Sequence, residues 1–580
     1  MKNQEIAKIF NDISRFLRID GVAFKPYAYE RAAISLETLK DDVAQIYING
    51  GRKALEEIPG IGKAMSDHIE EYLKTGKVQF YQEMKKKLPV DMDALLRVEG
   101  MGPKKAKVLY EKLGVKNLKD LERVAKKHLI APLFGFGEKT GKNILQGLEF
   151  LKTSKGRVLI SQIKPVAMAV LRRIESQKEV QKISIAGSLR RGKETIGDVD
   201  FLVVSQNPKK TMDYFVKLPG VEKIWGQGGT KASVHMNGGY DMDLRVVPAK
   251  SWGSALQYFT GSQAHNIATR KIAIEKGLKL SEWGIFRGSK QVVGKTEEDV
   301  YGALGLPYIA PEMREDQGEI DVALRGKLPT LVELKDIKGD LHVHSSWPAL
   351  LSRVDDQKDS IEALAKKAME LGYEYIGISD HTKDLNVEAS LNEKQLLEQN
   401  KYIKKLNAKF EIRNSKFRIL HGCEANIRRD GSIDIGDRVL AQLDYVIAGI
   451  HSLNKMEKKE MMARMKKAME NPHVDIIAHP TGRIVGKREE YQHDFDQMLK
   501  IAKETGTILE INSSERLDLR DLYIRRAKEE EVKMIINTDA HKKEQLEFME
   551  FGVAQARRGW AEKSDIINTL PVEELLKKLK

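Results

Sequence analysis

The sequence predicts a multidomain chain of mixed α+β and α/β class, for three reasons. At 580 residues it exceeds what a single hydrophobic core can organise. Residues 1–150 show helical 3.6-residue periodicity with few β-branched runs, whereas residues 158–300 contain short apolar strands around glycine turns. From residue 338 onward, strand-like segments and helical stretches alternate to the end, the pattern of a closed parallel barrel of the TIM-like kind.

Composition narrows the function classes. Apolar residues make up 41% of the chain, no run of about 18 apolar residues occurs, and "MKNQEIAKIF" lacks the apolar core of a signal peptide. The single cysteine, Cys423, rules out an internal disulfide framework and suits a reducing compartment. A cytoplasmic protein with no membrane partner is expected. Charge and histidine are unevenly distributed. Residues 1–335 carry a net +15 and residues 336–580 a net −1, while nine of the 13 histidines lie after residue 336. A basic first half points to a polyanion, nucleic acid first.

A short pattern recurs along the helical region: "IPGIGKAMSDHI" (58–69), "VEGMGPKKAKVL" (98–109) and, more loosely, "LFGFGEKTGKNIL" (133–145). Each places two glycines one residue apart before a helix: Gly60 and Gly62, Gly100 and Gly102, Gly135 and Gly137. Such a turn lets backbone N–H groups approach an anion at the helix N-terminus. Lys63, Lys104, Lys105, Lys139 and Lys142 follow in the first turns. This is a sequence-independent grip on a phosphate backbone. The copies resemble helix-hairpin-helix DNA-binding motifs, where a monovalent cation is a further expectation.

"ISIAGSLRRGKETIGDVDFLVV" (183–204) reads as strand, turn, strand. Asp198 and Asp200 share one face of the second strand, and Asp243 in "YDMDLRVV" lies on another. Three converging carboxylates suit two divalent cations, which can activate a 3′-hydroxyl and neutralise a transferring phosphoryl group. Gly187 and Ser188 offer hydrogen bonds to a phosphate, and Arg191 a charged one. Asp241 shares a face with Asp243 but receives no role.

Together with "YFTGSQAHNIATRKIAIEKGLKL" (258–280), these residues resemble family X DNA polymerases, the polymerase-beta group of the nucleotidyltransferase superfamily. The resemblance covers roughly residues 1–316. It implies that Asp198, Asp200 and Asp243 are the catalytic ligands of Mg²⁺ or Mn²⁺ and that Ser188 and Arg191 hold the incoming triphosphate. It also implies that Tyr258, Phe259 and Gly261 wall the sugar, Asn266 contacts the nascent base pair and Arg270 the template. In the first domain Lys25 and Tyr29 keep the flanking pattern of a 5′-phosphate site. His68, however, stands where related enzymes carry the deoxyribose phosphate lyase lysine, so 5′-phosphate binding is expected, with lyase activity weak or supplied by another lysine such as Lys63.

Seven strand-like segments follow a connector at 321–337: "GDLHVHS", "YIGISDH", "RILHGCEANI", "YVIAGIHS", "DIIAHP", "TILEINSS" and "MIINTDAH". Six of the seven carry potential ligands at the C-terminal end: His342 and His344, His381, Glu424, His451, His479, and Asp539 with His541. The seventh ends near Glu510 and Asn512. Imidazoles mixed with carboxylates suit Zn²⁺, Mn²⁺ or Fe²⁺.

This set resembles the PHP (polymerase and histidinol phosphatase) domain, which binds three metals in a (β/α)7 barrel and hydrolyses phosphoesters. The resemblance implies a first metal on His342, His344, Glu424 and Asp539. It implies a second on Glu424, His451 and His479, and a third on His381, His541 and one residue shortly after the His-x-His. Ala349 stands at that last position and has no donor atom; Asp355 and Asp356 lie nearby. A working site with two to three Mn²⁺ or Zn²⁺ and a weak third metal is expected. Arg483 in "HPTGR" is expected to contact phosphate.

A family X polymerase followed by PHP is the arrangement of bacterial and archaeal PolX, where the PHP half is a Mn²⁺-dependent 3′–5′ exonuclease. The expected divisions are a helix-hairpin-helix 8-kDa-like domain (1–88) and a fingers-like helical domain (89–150). A nucleotidyltransferase palm (151–250), a thumb-like subdomain (251–320), a linker (321–337) and a PHP barrel (338–575) follow. The expected function is DNA repair: template-directed gap filling on gapped or primed double-stranded DNA with dNTPs, plus 3′-end processing, by a nucleoid-associated monomer. The alternatives are a small-molecule phosphoesterase with a DNA-anchoring N-terminal half, a polymerase with a quiescent PHP domain, and a non-catalytic DNA end-binding scaffold.

Overall fold

The computed structural model describes residues 2–580 apart from 20, 21, 23, 24, 39–41, 59, 92, 93, 96, 97, 99, 100, 102, 128, 131, 134, 135, 137–143, 145–147, 149–155, 348–357, 386–389 and 413–416. The chain divides into two compact units, Met1–Ser154 and Lys155–Lys580.

The first unit is helical among its described residues. Lys2–Ile19, Lys25–Thr38, Val43–Glu56 and Lys63–Thr75 bury an apolar core that includes Ile6, Phe10, Ile13, Leu36, Leu55 and Ile69. Asp42 caps the third helix by accepting from the Ala44 N–H. A second core, around Leu95, Val98, Leu109, Val115 and Leu121, lies under Pro103–Leu113 and Leu118–Lys126.

The second unit begins with a mixed five-stranded sheet, ordered Val180–Ile185, Asp198–Ser205, Asp241–Val246, Lys231–Met236, Val221–Gln227. Only the Asp198–Ser205 and Asp241–Val246 strands pair in parallel. Strand alternation sorts the side chains. Val199, Phe201 and Val203 pack with Met242 and Leu244 against the Ile160–Glu175 and Pro208–Phe215 helices. The opposite face carries the aspartates at one end. Further along it, Leu202 and Val204 are covered by Trp252, Ala255 and Leu256 of the Trp252–Thr260 helix. A small antiparallel sheet, Lys279–Ser281, Gly284–Arg287 and Lys290–Val293, follows.

The barrel's strands are all parallel and occupy the seven expected positions. The third position is interrupted: Arg418–His421 closes a three-stranded sheet and Glu424–Asn426 opens a five-stranded one. The bridges His381–Glu424 and Val343–Ala540 complete the circle. At the break, a Cβ on Gly422 would lie 2.4 Å from the Tyr445 ring, and one on Gly377 2.3 Å from its hydroxyl. Tyr445 fills the barrel interior, where its hydroxyl donates to the Leu341 carbonyl at 2.6 Å. Val572, Leu575 and Leu576 join the same interior cluster.

The stretch expected as a linker at 321–337 is not one. Its start belongs to the Glu319–Leu324 helix; Val332 is buried in the barrel's outer core and donates its N–H to the Ala561 carbonyl. The apolar side chains in this stretch are used in packing. Palm and barrel also share cores. Leu517 and Phe551 of the barrel belong to the palm's cluster, and Trp560 to that of the thumb-like region. Replacing Phe551 with Ala would open a cavity between the two. The expected cost is about 3–5 kcal/mol in urea unfolding of the whole chain; a loss below about 1 kcal/mol would show that the shared core carries little load.

Two candidate active sites

In the palm, the parallel register sets Asp200 opposite Asp243 and Asp198 opposite Asp241, so all four carboxylates emerge on one face. Asp241 accepts from the Trp225 indole N–H at 2.9 Å and faces His235 Nδ1 at 2.7 Å, which leaves it tied to its strand neighbours. Asp200 and Asp243 line a cavity of about 140 Å³ with Lys231, Arg245 and Phe259, and Lys231 Nζ lies 2.7 Å from Asp243. Burial, then the charges of Asp198 and Asp243, push the Asp200 carboxyl up to about 7. A crowded trio of carboxylates that holds a proton this tightly fits divalent cations.

Gly187 is indispensable at its position. Its φ is +59°, and a Cβ there would lie 2.1 Å from Asp200 Oδ2. The Ala186 N–H donates to the Asp200 carbonyl at 2.8 Å, which fixes the turn on the strand. Ser188 Oγ is buried without a hydrogen bond, the state expected of a hydroxyl shaped for an added acceptor. Arg191 donates through Nε to Glu315 at 3.0 Å and through Nη1 to the Thr260 carbonyl. The Arg190–Glu297–Arg314 network lies beside it. Neither glutamate was singled out from the sequence.

Tyr258 and Phe259 meet edge to face with centroids 5.0 Å apart; Arg245 lies over Phe259 at 4.6 Å and Arg270 over Tyr258 at 5.1 Å. Gly261 follows with φ +71° and a cis bond to Ser262. Asn266 is nearly buried. Its amide donates to the Tyr258 carbonyl at 2.7 Å and accepts from Gln257 at 2.8 Å, so it braces the aromatic pair in this structure.

In the barrel, five of the other seven expected ligands lie against Glu424, which is 1% exposed. Its Oε2 lies 3.3 Å from His342 Nε2, 3.5 Å from His344 Nε2 and 2.8 Å from His381 Nδ1. Its Oε1 lies 2.9 Å from His451 Nε2 and 3.0 Å from His479 Nε2. Asp539 Oδ1 completes a set with His342 (3.6 Å) and His344 (3.2 Å), and His541 Nδ1 sits 3.9 Å from it. Asp539 (φ 55°) and His479 (φ 31°) are held in left-handed backbone, a cost the barrel core sustains.

Burial, then His381 and His541, hold His344 well below the usual imidazole range, so it is a neutral donor. Both its ring nitrogens are buried without a hydrogen bond. Buried neutral imidazoles around two carboxylates fit divalent transition cations. His344, His381 and His541 also bring ligand atoms within 4.8 Å of one another, a group of three imidazoles that could hold a cation. Ala349, Asp355 and Asp356 lie outside the described residues.

Sequence reasoning left Glu510 and Asn512 without a role; the structure supplies one. Glu510 accepts from His342 Nδ1 at 2.6 Å and from the His479 N–H at 2.8 Å, and Asn512 donates to Glu510 and Asp539. These hydrogen bonds fix the orientation of His342, His479 and Asp539, as outer partners do around a metal site. Their signal was the alternation in "ILEIN", which places both on the face that the other strands use for ligands.

Arg483 does not face the barrel mouth. It is 5% exposed and donates to Glu194 of the palm and to the Leu517 carbonyl, so the expected phosphate contact is a contact between palm and barrel.

In the first unit Gly60 (φ +85°) and Gly62 turn the chain into the Lys63–Thr75 helix, and Lys63 and Lys25 are exposed. Tyr29 is buried and its hydroxyl pairs with His68 Nε2 at 3.0 Å; the His68 ring stacks on Phe80 at 5.5 Å. Burial lowers the His68 pKa. Lys105 lies 5.9 Å from the Phe136 ring. Lys104 opens the Pro103–Leu113 helix, and its side chain is not among those described. Gly100, Gly102, Gly135, Gly137, Lys139 and Lys142 lie outside the described residues.

Family models match in chain order: a helix-hairpin-helix domain (1–78), a SAM-like helix-hairpin-helix tandem (92–149), DNA polymerase beta palm (158–221), DNA polymerase beta thumb (255–315) and PHP domain (340–514). The DNA polymerase/3′-5′ exonuclease PolX of Bacillus subtilis (strain 168) is 36% identical over 99% of this chain and 99% of its own length. The chain belongs to the PolX family. Other relatives match only part of the chain. DNA polymerase lambda of Arabidopsis thaliana is 26% identical over 54% of the chain and 62% of its own length. A "Probable phosphatase" of Caldanaerobacter subterraneus is 38% identical over 21% of the chain and 50% of its own length. Among the described residues, no helix of this PolX-family chain is long and apolar enough to cross a membrane.

The palm geometry yields two expectations. Gly187→Ala displaces Asp200 and should lower primer extension about 100-fold or more, leaving Mn²⁺ binding by the barrel unchanged. Retained extension would mean that the turn yields. Because a cation must displace the proton held by Asp200, calorimetric Mg²⁺ affinity of the palm should fall about tenfold per pH unit below about 7 and level off above it. A flat profile from pH 6 to 8 would contradict the shared-proton picture.

Proposed function

We propose that the chain extends primer ends in gapped or primed double-stranded DNA with dNTPs and removes nucleotides from 3′ ends by hydrolysis. One observation carries this reading most: a three-carboxylate patch and an imidazole-rich cluster, two sites of different chemistry, lie within one compact unit of a PolX-family chain. DNA polymerase and 3′-5′ exonuclease are the two activities in the name of its full-length relative.

In the palm, Asp198, Asp200 and Asp243 would hold Mg²⁺ or Mn²⁺. Bound there, the ions activate the primer 3′-hydroxyl and offset charge on the transferring phosphoryl group. Gly187 and Ser188 receive the triphosphate with uncharged donors, and Arg191 adds a positive charge. Phe259, held by Arg245, and Tyr258, held by Asn266, stand as a sugar-side wall that disfavours an added 2′-hydroxyl. Arg270 stays available to the template strand. In the barrel, Glu424 and the seven ligands grouped with it would hold Mn²⁺ or Zn²⁺, which would supply Lewis-acid polarisation of the phosphodiester and activation of water. Glu510 and Asn512 keep the ligand nitrogens and oxygens aimed inward.

The exposed Lys25 and Lys63 suit a 5′-phosphate in the first unit, with paired-glycine turns gripping the flanking duplex. The stacked, neutral His68 cannot serve as an amine nucleophile, so lyase activity is weak or supplied by another lysine such as the exposed Lys63. The fit is to a monomeric gap-filling repair enzyme of the cytoplasm, associated with the nucleoid.

A labelled primer on gapped DNA with Mn²⁺, with and without dNTPs, separates the readings. Extension should be lost in Asp198→Ala/Asp200→Ala and kept in His342→Ala/His344→Ala. Shortening without dNTPs should show the reverse. No shortening by the unaltered chain would leave a polymerase with a quiescent barrel; hydrolysis of free nucleotides with no extension would leave a small-molecule phosphoesterase.

A further inference from the structure

The turn that joins Ser188 to Asp198 is held from the palm, where the Ile160 N–H donates to the Glu194 carbonyl at 2.9 Å, and also from outside the palm. At its centre the Glu194 carboxylate accepts from Arg483, with Nη1 at 3.3 Å and Nη2 closer, and from the Gln555 amide. Both donors belong to the barrel. Three residues earlier, the Arg191 carbonyl accepts from Arg558 at 3.1 Å, and Arg558 also donates to Glu315, the carboxylate that holds the Arg191 guanidinium. The side chains of Arg483 and Arg558 are 7% and 2% exposed, whereas Glu194 is 25% exposed, so the arginines are buried anchors and the Glu194 carboxylate sits at the edge of the contact.

The barrel end of this contact starts at its own ligand cluster. Arg483 lies four residues after His479, in a loop pinned by Asp518, which accepts from Thr481 N (3.0 Å), Thr481 Oγ1 (2.8 Å) and Gly482 N (2.9 Å). The palm end runs from Glu194 back to Arg191 and on to Asp198 and Asp200.

We propose that Glu194 is a positioning residue: clamped by Arg483 and Gln555 of the barrel, it sets where the palm's turn presents Ser188 and Arg191 to the triphosphate. The barrel is thereby a structural component of the nucleotide site as well as a site of its own. The inference rests on the polymerase reading of the palm.

Steady-state primer extension should be measured for Glu194→Gln, Arg483→Gln, the double variant, Arg483→Lys, Gln555→Met and a control, Lys164→Ala. The control breaks a different palm–barrel ion pair, Lys164 to Glu550 at 2.8 Å. Glu194→Gln and Arg483→Gln should each raise KM for dNTP about fivefold or more with kcat changed less than twofold. The double variant should be no worse than the poorer single one. Arg483→Lys should recover some of the loss, Gln555→Met should raise KM more mildly, and the control should leave KM unchanged.

Three results would overturn the proposal. One is an unchanged KM in Gln555→Met and Glu194→Gln variants that melt cooperatively. Another is single effects that multiply in the double variant. The third is an equal rise in the Lys164→Ala control, which would show general loosening of the interface. Absence of extension by the unaltered chain would instead remove the polymerase reading itself.

Discussion

Both sites crowd ionisable groups that compete for protons, half-buried around Asp200 and Asp243 in the palm and buried around Glu424 in the barrel, and the rest of the structure is arranged around that electrostatic constraint. Three aspartates share one patch of the palm sheet, and Asp200 keeps a proton up to about 7 because burial and its neighbours oppose a further charge. In the barrel, two carboxylates sit among six imidazoles. Glu424 stays ionised despite burial because His451, His342 and His381 surround it, and His344 stays neutral because other rings crowd it. Such groupings are costly in a protein interior unless fixed partners and cations take up the charge. The fixed partners are present: Glu510 behind His342, Asn426 behind His451, and Lys231 beside Asp243.

Holding like groups together requires a frame that does not relax, and the second unit provides it through shared packing. Phe551 and Leu517 of the barrel complete the palm's apolar core, and Trp560 that of the thumb-like region. Polar contacts of the same kind cross the contact, from Lys164 to Glu550 and from Arg557 to Glu312. An enzyme that both adds and removes nucleotides carries its two sites on one body, in fixed relation.

Much of this was legible in the sequence because it depends only on the two-residue period of a strand. Asp198, Asp200 and Asp243, and the ligands at successive strand ends, could be assigned to faces without knowing the packing. The paired glycines before Lys63 were legible for the same local reason. What escaped depends on contacts between distant regions of the chain. Arg483 and Glu194 are 289 positions apart, and nothing local marks an arginine as buried against another domain. The close approach of Gly187 to Asp200 exists only once the turn is folded back on its strand. The grouping of His344 with His381 and His541 follows from ring positions across three strands, whereas the sequence pattern directed attention to Ala349. The stretch at 321–337 read as a connector because its apolar residues lack a period; Val322, Ala323, Leu328 and Leu331 pack with the thumb-like region, and Val332 and Ile337 with the barrel.

The account depends most directly on Glu424 as the group that organises a metal cluster separate from the palm. Manganese bound per chain should be counted by native mass spectrometry for the unaltered protein and for Glu424→Gln, alongside primer extension by both. The account predicts that Glu424→Gln loses the Mn²⁺ carried by the barrel while extension persists. Full retention of that Mn²⁺ in Glu424→Gln, or loss of extension together with the metal, would contradict two sites with separate chemistry.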